Sequence, residues 1–379
     1  DGLVDIVTMD MRPRDNYHEK KMSGPLNFAL FERTLQQGYM PQYMRNTLQL
    51  NNGSLDKGPT SFSEIGQLLN VDATDWSWAP LFADFDNDGF KDLFVTNGYL
   101  RDITDLDFIN YTGSLSVNVS KDSLDNFLKQ KAKEMPSIKL PNYLFKNNGN
   151  LSFVNMAEEW GLDQPSLSNG AAYADLDNDG DLDIVINNIN ETASVYENRS
   201  EVVLGHHYLS VYLKGDGLNN MGLGTEVTLF QDGKQQIVRQ TLTRGYQSSI
   251  DKIIHFGLGK ENVIDSVIAR WPNGKVSKVF NPAPNKLLKL MQDEAYMEIA
   301  LTNDQSKSGL FKDIATSLNL DYLHKEMVYY DFNRQFLLPH KHSNQGPGLA
   351  VGDINNDGRE DFFLGGGYNY SGRLFYGSA

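Results

Sequence analysis

One nine-residue pattern recurs three times along the chain. It reads Asp84-Phe85-Asp86-Asn87-Asp88-Gly89-Phe90-Lys91-Asp92, then Asp175-Leu176-Asp177-Asn178-Asp179-Gly180-Asp181-Leu182-Asp183, then Asp353-Ile354-Asn355-Asn356-Asp357-Gly358-Arg359-Glu360-Asp361. A small residue precedes each copy (Ala83, Ala174, Gly352), and a short apolar run follows: Leu93-Phe94-Val95, Ile184-Val185-Ile186 and Phe362-Phe363-Leu364. A repeat constrains a fold more than a lone motif does, because each copy is a unit that must bury its apolar face against its neighbour. The first two copies also share their approach. Ser61-Phe62 and Ser152-Phe153 stand at the same offset before the loops, behind the strand-then-turn signals Leu48-Gln49-Leu50-Asn51-Asn52-Gly53 and Leu144-Phe145-Lys146-Asn147-Asn148-Gly149. In the third copy, Phe311-Lys312-Asp313-Ile314 echoes the approach with extra residues before the loop. The opening Asp1-Gly2-Leu3-Val4-Asp5-Ile6-Val7 fits the back half of a fourth copy. It predicts an incomplete site at Asp1 and Asp5 and reads as a fragment or processed chain.

The loop chemistry points to calcium. This hard cation takes six to eight oxygens at about 2.3–2.6 Å. Side chains at positions one, three and five converge if the backbone curls, glycine at six permits the turn, and the carbonyl at seven adds an oxygen. An EF-hand closes its shell with Glu at position twelve, but here that position is Val95, Ile186 or Leu364. The acid at nine is expected to close it instead. The ligand sets are therefore Asp84, Asp86, Asp88 and Asp92; Asp175, Asp177, Asp179 and Asp183; and Asp353, Asn355, Asp357 and Asp361. A solvated Asx-turn uses the same residue types, but the shared frame and the repeated ninth-position acid favour a metal.

A formal charge of −15 over 379 residues argues against nucleic acid, whose binders need a basic footprint. With no cysteine, disulfide and thiolate-zinc frameworks are excluded, and no run is long and apolar enough to span a membrane. Insertions interrupt the repeats, with helices expected over residues 27–37 and 121–135. Residues 205–291 read as all-β in their own right. Strands are expected at Tyr208–Leu213, Thr225–Phe230, Gln236–Leu242, Ile253–Phe256, Val263–Trp271 and Val276–Phe280, with hairpin turns at Asp232-Gly233 and Asn273-Gly274.

These loops with their strands resemble FG-GAP (VCBS) repeats, the calcium-binding blades of integrin-alpha-type β-propellers. Gly222-Leu223-Gly224, Gly245-Tyr246-Gln247-Ser248-Ser249, His255-Phe256-Gly257-Leu258-Gly259 and Arg270-Trp271-Pro272-Asn273-Gly274-Lys275 resemble the ASPIC/UnbV domain of the cartilage acidic protein family and its bacterial relatives. Asp75-Trp76-Ser77-Trp78-Ala79-Pro80 resembles the long surface forms of Bacteroidota, and Leu337-Leu338-Pro339-His340-Lys341 with Gly346-Pro347-Gly348 resembles the start of a second propeller in such proteins. The resemblance implies an all-β chain. It would have propeller blades over residues 1–203, a small β-sandwich over 204–292, the start of a second propeller over 293–379, and minor helical insertions. It also implies secretion or outer-membrane display, with lipidation at a cysteine upstream of this sequence.

No catalytic set stands out. His340 and His342 lack the His-Glu-x-x-His frame, and no nucleophile elbow, Walker loop or dinucleotide fingerprint occurs. The expectation is a non-enzymatic, calcium-binding surface protein that binds a protein or glycan, with an outer-membrane nutrient transporter as a possible assembly by family analogy. The alternative is a propeller-based hydrolase or lyase acting on polysaccharide, with structural calcium.

Overall fold

The structure is a computed structural model. It describes residues 2–22, 28–54, 60–102, 104–115, 137–297, 341–343 and 345–377, with further positions inside 126–135 and 313–335. The chain divides into two compact units, Asp1–Asn27 with Thr34–Asp304, and Phe28–Arg33 with Gln305–Ala379.

The first unit holds three antiparallel sheets in sequence order. The first is β1 (Ile6–Thr8), β2 (Thr47–Ser54) and β3 (Thr60–Glu64). The second is β4 (Ser77–Ala83), β5 (Asp92–Asn97), β6 (Tyr143–Asn147) and β7 (Phe153–Asn155). The third is β8 (Ser168–Ala174), β9 (Asp183–Asn188) and β10 (Ser194–Tyr196). Strand β5 shows why they stack. All six of its residues are buried, and alternate side chains point to opposite faces of a strand. Leu93 and Val95 join Leu48, Leu69, Val71 and Phe145 in one core, while Phe94 joins Leu81, Phe85, Leu144, Ile184 and Ile186 in another. The second sheet is thus sandwiched between the other two, the blade-on-blade arrangement that the repeats predict.

Each nine-residue loop is the hairpin between its sheet's first two strands. The register explains the small residue before it: Ala83 pairs with Asp92, and Ala174 with Asp183.

The remainder of this unit is a β-sandwich. One sheet has the order β16 (Ile254–Gly259), β11 (His207–Lys214) and β19 (Leu287–Met291), with β11 and β19 parallel. The other has the order β13 (Lys234–Arg239), β12 (Glu226–Gln231), β17 (Ser266–Arg270), β18 (Lys275–Phe280) and β20 (Tyr296–Met297). Leu209, Val211, Val227, Leu229, Phe256, Val267 and Trp271 fill the space between them. The short hairpin β14 (Thr243–Arg244) and β15 (Ser248–Ser249) leaves the sandwich and reaches the blade core, where the Tyr246 ring packs at a tilt against Trp78, 4.8 Å between centroids.

The second unit contains β21 (Leu349–Gly352), β22 (Asp361–Leu364) and β23 (Arg373–Phe375), an antiparallel sheet in sequence order that carries the third loop. Its Gly352 pairs with Asp361, the same register as in the first two copies.

The chain is all-β, as expected, and several local expectations shift. The strand expected at 236–242 is Lys234–Arg239, because the turn at Asp232 (φ 48) and Gly233 (φ 71) starts the return at once. At Asn273-Gly274 only glycine is left-handed (φ 84), and residues 271–274 form a longer connection. The parallel strand β19 escaped the sequence reading, since Lys289 interrupts its apolar pattern. Phe28–Gln36 is helical. Of the helix expected over 121–135, residues 126, 127, 129–131 and 133 are helical, while Leu124 and Leu128 lie outside the described residues. Asn16–Lys21 and Leu106–Leu115 are helices that the periodicity did not reveal.

The sixth-position glycine of the second loop meets two demands at once. Gly180 has φ 99, and a Cβ there would overlap the ring of Tyr208. Gly233 has φ 71 but open space around it. In urea unfolding, Gly180→Ala should lower stability by about 2–5 kcal/mol, backbone strain plus overpacking, and Gly233→Ala by only about 1–2 kcal/mol.

Candidate metal centre

The three loops share one hydrogen-bonding scheme. The backbone N–H of the sixth residue donates to the first-position carboxylate: Gly89 to Asp84 (2.8 Å), Gly180 to Asp175 (3.2 Å) and Gly358 to Asp353 (2.8 Å). The N–H of the fifth residue donates to the third side chain: Asp88 to Asp86 (3.3 Å), Asp179 to Asp177 (3.4 Å) and Asp357 to Asn355 (3.0 Å). The N–H of the seventh residue donates to the fifth side chain at 2.9 Å in all three, from Phe90, Asp181 and Arg359. This nest of Asx-turns curls the chain. Its tightest bend uses two left-handed residues, the fourth-position asparagine (Asn87 φ 56, Asn178 φ 64, Asn356 φ 63) and the sixth-position glycine. The asparagine's role escaped the sequence reading, although its presence in every copy was the available signal.

Curling brings the acids together. One oxygen each of Asp84, Asp86 and Asp88 lie within 4.8 Å of one another, as do those of Asp175, Asp177 and Asp179. Oxygens on opposite sides of a calcium ion are about 4.6–5.2 Å apart, so both triplets have the right span. In the second loop Asp175 Oδ1 is buried and has no hydrogen-bond partner, which leaves it available as an acceptor. In the third loop Asn355 replaces one carboxylate and donates to Asp357 at 3.0 Å. The loop therefore offers a mixed and more exposed oxygen set.

The ninth-position acids are not members of these triplets and share a role of their own. Asp92 accepts from Phe85 N (3.1 Å) and Asn147 N (2.9 Å); Asp183 from Leu176 N (2.9 Å) and Asn198 N (2.8 Å); Asp361 from Ile354 N (3.0 Å) and Gly377 N (2.8 Å). One oxygen ties back the loop's second residue and the other holds the end of the third strand. All three are at most 2 % exposed. Asp5 accepts from Asn51 N at 2.8 Å in the same manner, and the preceding Gly2 has φ 88, so the fourth copy keeps its back half. Asp1 lies outside the described residues.

Electrostatics distinguish the loops. Burial, reinforced by Asp92 and Asp88, pushes the Asp84 carboxyl well above the ordinary range. Burial raises Asp92 to about 7 and Asp179 to about 6, and lifts Asp86 and Asp175. In the first loop, Lys146 Nζ bonds Asp86 and reaches Asp88 Oδ2 at 2.6 Å. Beside the second loop a further acidic group forms, in which Asp179, Asp181 and Glu201 converge. Asp181 is raised by burial and by Glu201. Sequence spacing gave no hint of Glu201, which arrives from beyond β10.

The first two loops are also where the sandwich meets the blades. Asn87 Nδ2 donates to Asp181 (2.7 Å) and to Gly180 O (3.2 Å), joining loop to loop. Gly259 N donates to Asn87 O at 2.7 Å, and His206 Nδ1 lies 2.6 Å from Asp86 O. His255 Nε2 lies 2.5 Å from Asn87 Oδ1, and burial pushes this imidazole down to about 4, so it is neutral near pH 7. A Cβ at Gly257 would strike Asp84 and the Asn87 backbone, so the sandwich packs backbone against backbone here. The family model described as ASPIC and UnbV matches residues 215–296, and that described as an FG-GAP-like repeat matches residues 138–186. The chain carries an FG-GAP-like repeat and an ASPIC/UnbV domain over these segments. No curated protein matches its sequence. The FG-GAP match spans the second loop entire, and the ASPIC/UnbV match contains the segment 255–259 that seats on the first. Among the described residues no helix is long and apolar enough to cross a membrane.

Other residues singled out in the sequence have ordinary partners. Trp76 packs at a tilt against Tyr99, 4.7 Å between ring centroids, and Trp78 Nε1 donates to Gly98 O at 2.7 Å. Both indoles are half-buried packing groups. His342 N donates to Asp331 Oδ2 at 2.6 Å, and His340 lies outside the described residues.

Two outcomes follow. Asp92→Asn leaves one of two buried N–H groups without a carboxylate acceptor and should lower stability by about 1–3 kcal/mol in urea unfolding. The second concerns pH. Asp92 and Asp179 have folded-state values above the unfolded one, so the stability they supply is present below about pH 4 and lost as pH rises through about 6 to 7. The melting temperature of the chelator-treated protein should therefore fall across this window, and saturating calcium should flatten the decline.

Proposed function

We propose that this protein is a calcium-stabilised binding or scaffold module of the cell exterior, and that its Asp loops hold the ion for structure and not for turnover. The observation that carries this reading is the convergence of three carboxylates in each of the first two loops, at the seam between propeller-type blades and the ASPIC/UnbV sandwich. Calcium suits such a site better than magnesium, which demands a near-ideal octahedron and keeps its waters. The second loop would use Asp175, Asp177 and Asp179, with the carbonyl of residue 181. The ninth-position acids support the ligands from outside the triplet. Bound calcium neutralises acids that otherwise repel one another beneath the sandwich. Secretion or outer-surface display fits a weak site, since extracellular calcium is abundant where cytosolic calcium is scarce. The blade and sandwich surfaces would serve a protein or glycan ligand, in keeping with an accessory role beside a nutrient transporter.

For sites with Kd on the order of 10⁻⁴ M, millimolar calcium stabilises by about 1–2 kcal/mol each. For a unit of this size a kcal/mol corresponds to about 2–4 °C. Calorimetric titration should show calcium binding with magnesium much weaker, and 1 mM calcium should raise the melting temperature of chelator-treated protein by about 2–8 °C for each loop that fills. An unchanged melting curve would sink the calcium reading. Turnover of a polysaccharide by the purified chain would replace the scaffold role with that of a hydrolase or lyase.

A further inference from the structure

The first two loops share the same left-handed positions and nested turns and differ in the side chains that face their acids. The ninth-position acid provides the register for comparing them, because it takes an N–H from Asn147 in one copy and from Asn198 in the other. The residue before that donor is therefore equivalent in each copy, Lys146 in one and Glu197 in the other, with Leu50 in the opening copy and Tyr376 in the third. Only Lys146 is a cation. Its ammonium bonds two of the three acids of the first triplet, Asp86 and Asp88. No described lysine or arginine forms an ion pair with Asp175, Asp177 or Asp179, and Asp175 Oδ1 is buried without a partner.

We infer that Lys146 is a resident counter-ion of the first loop, which braces that loop without metal and lowers its divalent affinity, leaving the second loop as the calcium-responsive site. The physical reason is competition. A divalent ion entering the first triplet must displace an ammonium already bonded to Asp86 and Asp88, or else share the site with a like charge. In the second loop it meets only carboxylates, with further acids, Asp181 and Glu201, alongside. Lys146 is suited to this exchange because its side chain is partly exposed and its compact charge sits on a flexible stem that can swing to solvent. The same geometry makes the seam tolerant of low calcium. The loop seated directly under Gly257, Gly259 and His255 keeps its shape through Lys146, and the neighbouring loop carries the response.

This inference rests on the calcium reading of the loops, and the two can be separated experimentally. Lys146 Nζ lies 5.9 Å from the centre of the Trp160 ring, so terbium in the first loop should be sensitised by Trp160, and Trp160→Phe should identify that signal by abolishing it. On the full chain, terbium titration followed by calcium competition should show the first loop of Lys146→Gln binding at least tenfold more tightly than that of wild type. Lys146→Arg, which keeps the charge, should stay within about threefold of wild type. Lys146→Met serves as a second neutral variant should the glutamine form fold poorly. Calcium calorimetry on wild type against Asp177→Asn/Asp179→Asn reads the second loop independently. If the neutral variants bind no more tightly than wild type while the second loop fills, the counter-ion role is overturned and the calcium reading stands. If neither loop takes calcium or terbium in any variant, both are overturned.

Discussion

The structure depends on a carboxylate that accepts two backbone N–H bonds from different places. In each copy the ninth-position aspartate fixes the loop's second residue with one oxygen and the third strand's end with the other. Burial of that group is tolerable because both oxygens are satisfied, and charge-assisted bonds to backbone amides are among the stronger ones available. It links three consecutive segments of a sheet at a single point. The chain between the second and third strands can then vary freely: the amide partner lies 55 residues downstream of Asp92 but only 15 downstream of Asp183. A long helical insertion fits into one copy without disturbing the loop.

In the first two copies the first, third and fifth side chains then converge. Nested Asx-turns consume some of their hydrogen-bonding capacity, and the rest faces a common point. Carboxylates held together under a second domain are expensive in a poorly hydrated seam, and their upward pKa shifts record that expense. The first loop relieves it with Lys146, whereas the third relieves it by substituting Asn355 and remaining exposed. The second loop has no lysine or arginine paired with its triplet among the described residues. Identical grammar therefore produces three different electrostatic environments, and the difference comes from what packs beside each loop.

The ASPIC/UnbV sandwich reads the loops through their backbone. Gly257 admits the first loop at contact distance, Gly259 donates to Asn87, and Gly180 gives room to Tyr208. At Gly257 a side chain would strike the Asn87 backbone, at Gly180 it would strike the Tyr208 ring, and Gly259 answers to its left-handed backbone (φ 66). The neutral imidazole of His255 completes the seam without adding charge to an already acidic region.

Much of this was legible before any coordinates. The alternating acids, the glycine at six and the following apolar strands fix a curled hairpin loop, because few other backbones satisfy those residues in that order. Repetition of the unit implies stacked sheets. The small residue before each loop was visible as a pattern, but its cause, a cross-strand pairing with the buried ninth-position acid, was not. Nor could spacing reveal that this acid binds amides, because its partners lie on a strand whose distance in sequence differs from copy to copy. The loop, the strand that follows it and the all-β class could be read from the residues alone, since these rest on local sterics and on hydrogen bonds within a few residues. Tertiary structure alone decided which acids meet Lys146, that Glu201 joins Asp179 and Asp181, and that the sandwich closes over two loops. Charge and burial act through space, and residues distant in sequence set the field that each carboxylate feels.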